Sequence, residues 1–181
     1  MPTKATRTTP NENELIAEVV NAYVHRLFPD FRPAAYVACP DADVAVRCAR
    51  AITQAAKKKG VASEIIDLRP APATTLDTVT ARLEPVNDRH PIDSDLPPRL
   101  LVLEGFDLLA GPRNDEPTYP FRANFQFDHE HLWLFTGRDW QKLSQLFGRY
   151  DLPLYHAASD ITPSPWRTPA VSSRRKAKRA T

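Results

Sequence analysis

Four groups of side chains in this sequence have the types and spacing for chemistry. Leu100 to Leu103 run apolar without a break into Glu104, and Asp107 follows three residues later. Two carboxylates so placed can hold a divalent cation or polarise a water. Asp41-x-Asp43 follows an apolar stretch that ends at Cys39. Carboxylates at the end of such a stretch lie where a parallel sheet binds its ligands. Thr136-Gly137-Arg138 closes another apolar run with a hydroxyl and a guanidinium, groups that sense or hold phosphate. Last come Arg174, Arg175, Lys176, Lys178 and Arg179, five cations with no acid among them. Such a run suits nucleic acid, an anionic surface or an acidic partner, and equally a solvated terminus.

Other reactive types carry less. His129-Glu130-His131 puts two imidazoles at i, i+2, but a metal needs a third ligand and no spacing points to one. No metal site is expected, and His131 reads as structural. Cys39 reads as a buried inert thiol. Trp133, Trp140 and the set Phe121, Phe125 and Phe127 are the right types to stack bases, but their spacing suits core packing. G-x-S-x-G, C-x-x-C and G-x-G-x-x-G do not occur.

The elements that position these groups follow from periodicity. Asn11 to Glu14 open a helix whose apolar residues, from Leu15 to Phe28, recur at helical spacing until Pro29 stops it. Ala34 to Cys39 reads as a strand, Val44 to Lys59 as a helix ending in lysines before Gly60, and Val61 to Leu68 as a second strand. That strand–helix–strand unit implies parallel strands and a right-handed crossover. Residues 69–98 are proline-rich, with a short helix expected at Leu76 to Leu83. The run 99–103 is bounded by Pro97, Pro98 and Gly105, and suits a strand buried on both faces. Ala110 to Asp128 reads as loop, although Phe121, Phe125 and Phe127 need burial. His131 to Phe135 is a fourth strand and Asp139 to Tyr150 a helix. Leu152 to Ala157 is a fifth strand, with Pro153 favouring an edge. Trp166 stands out in the tail, since a lone Trp often docks on a body or a partner.

These elements make a three-layer α/β sandwich with a mainly parallel sheet of about five strands. Residues 1–10 are expected to be disordered, 11–161 to form a single domain, and 162–181 to be a disordered basic tail. The chain has 181 residues and a net charge of +2, with 18 Pro against 5 Gly. With Lys4, Arg7 and the five tail cations set aside, 17 basic residues face 22 acidic ones, so the body is acidic and the ends basic. No apolar run reaches the ~18 residues of a membrane span, and two cysteines without a secretory signal suit a reduced cytoplasmic protein. No membrane partner is expected.

In order and spacing, residues 12–160 resemble the P-loop NTPases of the AAA-like kind. Leu15–Phe28 is similar to the helix before the first strand, and Ala34–Cys39 to the strand that feeds the phosphate loop. Leu100–Leu103 with Glu104 resembles the acidic Walker B strand, and His131–Phe135 with Thr136 the sensor strand. The resemblance implies a sheet ordered 5-1-4-3-2. The phosphate loop departs from the family's G-x-x-x-x-G-K-[ST]. The segment Cys39 to Ala45 (CPDADVA) has no Gly, Lys or hydroxyl, and two carboxylates stand where phosphates would sit. The position after Glu104, where the family places its catalytic acid, is Gly105.

The expectation is a non-catalytic P-loop-like binding or assembly subunit of a bacterial multiprotein complex. It would need no cofactor, would bind a protein partner, and would contact DNA through Arg174–Arg179. The alternative is a Mg-dependent phosphate-handling hydrolase, an ATPase or phosphatase, using Asp41 and Asp43 or Glu104 and Asp107. For it, Asp41-x-Asp43 and Thr136 also resemble motifs of haloacid-dehalogenase-type phosphatases.

Overall fold

Every long apolar run of the sequence but one forms a strand of a single parallel sheet. The structure, a computed structural model, describes residues 10–26, 34–83, 99–111, 116–128 and 130–167. The strands are β1 (Ala34–Ala38), β2 (Ala62–Asp67), β3 (Arg99–Glu104), β4 (His131–Gly137) and β5 (Ser159–Asp160). The helices are α1 (Glu12–Arg26), α2 (Ala42–Lys58), α3 (Pro72–Arg82), α4 (Thr118–Phe125) and α5 (Trp140–Gly148). Across the sheet the order is β2-β3-β4-β1-β5, which read from the other edge is the expected 5-1-4-3-2. All paired strands run parallel.

Strand alternation divides the core into two. Ala35, Val37, Leu100, Val102, Leu132 and Leu134 face α1 and α2. Tyr36, Leu101, Leu103, Trp133 and Phe135 face α3, α4 and α5. The three inner strands are buried on both faces, which is why they read as continuous apolar runs. On the second face the rings of Phe106, Phe121, Phe135 and Phe147 pack with centroids 4.5–6.2 Å apart. Each such contact adds about 0.5–1.5 kcal/mol to the area buried.

Several expectations are corrected. The stretch 110–128 is not all loop, because it contains α4, with Phe121 and Phe125 buried while Phe127 is exposed. Pro120 is tolerated there because it lies in the first helical turn, where its missing N–H has no partner to lose. The short helix expected from Leu76 begins four residues earlier, at Pro72, for the same reason.

Leu152 to Ala157 is not a strand. It forms consecutive turns, with Tyr155 N–H donating to Leu152 O and Ala157 N–H to Leu154 O. The edge strand is instead the polar pair Ser159–Asp160, beside Ala35 and Tyr36.

The described chain continues from β5 through residue 167. The Thr162 hydroxyl accepts the Ala38 N–H at 3.0 Å, and Trp166 is buried in the core on the α1 and α2 face of the sheet. Asp160 ties this strap down, accepting from Trp140 Nε1 at 3.0 Å and Thr162 N–H at 2.8 Å and pairing with Arg167 at 3.5 Å. Residues 1–9, Leu27, Phe28 and the tail cations Arg174, Arg175, Lys176, Lys178 and Arg179 lie outside the described residues. Among the described residues no helix is long and apolar enough to cross a membrane.

Candidate functional site

The C-terminal edge of a parallel sheet is where open α/β folds bind ligands, and three of the four candidate groups reach it. Asp67, Glu104, Thr136 and Val37 form one row across β2, β3, β4 and β1. Register partners point to the same face, here the face of α2.

Only three residues, Cys39 to Asp41, link β1 to α2. Asp41 is the N-cap of α2, its Oδ1 accepting the Val44 N–H at 2.9 Å while its carbonyl accepts the Ala45 N–H at 3.1 Å. A helix N-terminus attracts anions because its first N–H groups lack partners. Here the protein's own carboxylate occupies that place. Asp43 faces solvent and pairs with Arg47 at 3.1 Å. Arg47 in turn bonds Glu12 and Asn13, tying α2 to α1. Neither aspartate is held as a free nucleophile.

Glu104 is buried and has a cation of its own. Arg69 Nη2 donates to Glu104 Oε2 at 3.2 Å. The same guanidinium forms a fork with Asp67, at 2.7 and 2.9 Å. Burial raises the Glu104 pKa, and the Arg69 charge opposes that rise. Asp67 is held below the usual carboxylate range by its Arg69 hydrogen bond. Gly105 follows at φ +79°, and a Cβ there would lie 2.8 Å from Arg69 Cγ. The position next to Glu104 therefore has neither the backbone nor the space for a side chain.

Asp107 does not join Glu104. Gly137 alternates with Thr136 along β4 and so faces the α5 layer. A Cβ on Gly137 would meet Asp107 Oδ1 at 2.5 Å, which places the Asp107 carboxylate over that glycine on the opposite face. Asp107 Oδ2 accepts the Asp139 N–H at 3.2 Å, and the Arg138 backbone bonds the same carboxylate. Burial raises the Asp107 pKa against these bonds. Asp107 thus fastens the turn that leads into α5, whose N-cap is Asp139. Arg138 contributes its backbone, and its side chain is exposed.

Thr136 is fully buried, and its Oγ1 has no hydrogen-bond partner among the described residues. The Cys39 thiol hydrogen-bonds that of Cys48, and this contact together with burial raises its pKa far above the reactive range. His131 sits at the other end of β4, its Nδ1 3.0 Å from Asp128 Oδ1. Asp128 also accepts from Trp133 Nε1 at 2.7 Å, so His131 belongs to a structural knot. No group of three or more His, Cys, Asp or Glu among the described residues could hold a metal ion.

Sequence reasoning missed Arg69 and Asp67, whose charges act on Glu104 alongside its burial. The available signal was Asp67-x-Arg69 at the end of a strand next to an acid-tipped one.

No family model matches the chain, and no curated protein matches it. Solved structures do. The Walker-type ATPase PABY2304 of Pyrococcus abyssi is 10% identical, with a TM-score of 0.50 over 90% of this chain and 55% of that one. The fold is that of the P-loop NTPases. A DNA replication initiation factor and the AMPPCP-bound DnaA from Aquifex aeolicus are each 16% identical, with TM-scores of 0.48. They match over 87% and 86% of this chain and 47% of each of theirs. The chain thus spans about half the length of the structures it matches.

Proposed function

We propose that this chain is a non-catalytic P-loop-like subunit that binds a protein partner within a bacterial multiprotein assembly. The observation that carries this reading is the Arg69–Glu104 contact at 3.2 Å. A Walker B acid works by holding Mg²⁺ with its water shell. Here a tethered guanidinium neutralises it, and Gly105 leaves no acid to orient a water. The phosphate place is likewise filled by Asp41, and like charges a few ångströms apart in a partly buried loop cost several kcal/mol. The residues present do not fit a Mg-nucleotide. A P-loop fold relieved of chemistry keeps its surfaces, and recognition is the role those surfaces support.

The test is a thermal-shift titration of the full chain with ATP, ADP and Mg²⁺, alone and together. The expected result is no change in melting temperature at millimolar ligand. A ligand at a hundred times its Kd adds about 2.7 kcal/mol, so occupancy would be plain. A nucleotide- or Mg-dependent rise would favour the phosphate-handling alternative.

The DNA association rests on Arg174, Arg175, Lys176, Lys178 and Arg179. Truncation after Arg167 removes them and spares the strap. If the tail contacts phosphates of duplex DNA, binding falls with salt, with a log–log slope approaching about −4.5 for five contacts, and truncation abolishes it. Unchanged affinity after truncation would remove DNA from the reading.

A further inference from the structure

β2 is an edge strand whose charges, Glu64 and Asp67, are already paired with arginines. Parallel strands are ordinarily buried on both faces, yet five of its six residues are exposed, and Ile65 retains 43% of its surface. All six stay in unbroken register with β3. There is no proline, lysine or bulge to discourage a further strand. The open side can be assigned. Leu68 donates its N–H to Glu104 O at 2.9 Å, toward β3. Backbone direction alternates along a strand, so Ser63, Ile65 and Asp67 turn their N–H and C=O groups outward. Among the described residues no backbone group pairs with them.

We infer that this edge is a homodimer interface, in which β2 of a second copy pairs antiparallel with β2 about a two-fold axis at Ile65. The sequence of the strand is self-complementary in that register. Ile65 faces Ile65 of the second copy, joining two exposed apolar side chains. Ser63 faces Asp67 of the second copy, so a hydroxyl meets a carboxylate, and the same pair recurs on the other side of the axis. Glu64 faces Ile66, so the Glu64 carboxylates are not opposed. Each outward residue exchanges both backbone bonds with its partner, as directly opposed hydrogen-bonded residues do in antiparallel pairs. Asp67 is already paired with Arg69, and Glu64 with Arg82 at 2.8 Å, so closing the edge strands no charge. This contact is independent of the reading given to Asp41 and Glu104.

Sedimentation of the full chain across a concentration series tests the interface. A monomer–dimer equilibrium is expected. Ile65→Lys sets two ammonium groups against each other at the axis and should weaken the dimer at least tenfold. Ser63→Glu, opposite Asp67, should weaken it, and Ser63→Lys should strengthen it. Both positions are exposed, and an unchanged melting temperature at dilution verifies folding. Amide exchange at Ser63 and Ile65 should slow as the dimer fills. A monomer at every concentration overturns the proposal, as does a dimer indifferent to all three substitutions. Protection of those amides in the dilute monomer also overturns it, because a segment of the same chain would then hold the edge. Protection that appears only with an added partner strand would assign the edge to that partner instead.

Discussion

Gly105→Glu, which places a second acid beside Glu104, is expected to cost about 3 kcal/mol and to yield no ATP hydrolysis. Two effects add. A residue with a Cβ at φ +79° is strained by roughly 1–2 kcal/mol. The new side chain also starts 2.8 Å from Arg69 Cγ and must push that residue off Glu104. Gly60 supplies the control, because its φ is +78° and a Cβ there meets nothing within 4 Å. Gly60→Ala therefore measures backbone strain alone, and the excess of Gly105→Ala over it measures the Arg69 contact. Denaturant unfolding of the three variants gives these values. Equal losses for the two alanine variants, or hydrolysis gained by Gly105→Glu, would contradict the account of the site.

Arg69→Met is the second large effect. It leaves Glu104 buried without its cation and Asp67 without its fork. Breaking a buried pair costs about 3–5 kcal/mol, but Arg69 is 44% exposed and water screens it, so about 1–3 kcal/mol is expected. The pH dependence is more telling. Glu104 titrates above its ordinary value when folded, so the folded state binds its proton more readily than the unfolded chain. Such a group favours folding below its unfolded pKa, and that contribution is lost as pH rises through the folded one. Removing the Arg69 charge raises the folded pKa further, since the Asp67 charge that also raises it remains. The deficit of Arg69→Met against the parent should therefore shrink between neutral pH and about pH 5. Taking the difference cancels Asp107, whose own raised pKa acts in both proteins. Unfolding curves at four or five pH values suffice, and a deficit that grows on acidification would refute the assigned environment of Glu104.

How much of this was legible in the sequence depends on what each element asks of its residues. The inner strands bury both faces, so Leu100–Leu103 and His131–Phe135 announce themselves. α2 shows its apolar face and its lysine-rich end, although the sequence pointed to Asp43 as its cap and the structure uses Asp41. β5 was illegible, since two polar residues at an edge need no apolar pattern. Leu152, Leu154 and Ala157 drew the strand reading to a series of turns instead. α4 was hidden because its prolines, Pro117 and Pro120, stand where a helix tolerates them. At the site, Glu104 and Asp107 look like a pair because they are three apart. A left-handed turn at Gly105 sends them to opposite faces of the sheet. Arg69 lies 35 residues from Glu104 and meets it only because β2 and β3 are neighbours. Pairing across strands is a property of topology, and local spacing does not report it.

The position of β1 also sets the order in which the molecule can be completed. It is interior to the sheet, yet its partners are β4 and β5, whose first residues are His131 and Ser159. A ribosome adding ~5–20 residues per second needs on the order of 5–20 s to make the ~100 residues that separate β1 from β4. Through that interval the apolar AAYVA strand has neither neighbour, whereas β2 gains its partner β3 once residue 104 is made. Closure of such distant pairings is slow. The nascent chain is therefore most open to chaperone capture or aggregation at β1, and that exposure ends only when Ser159–Thr162 has left the ribosome.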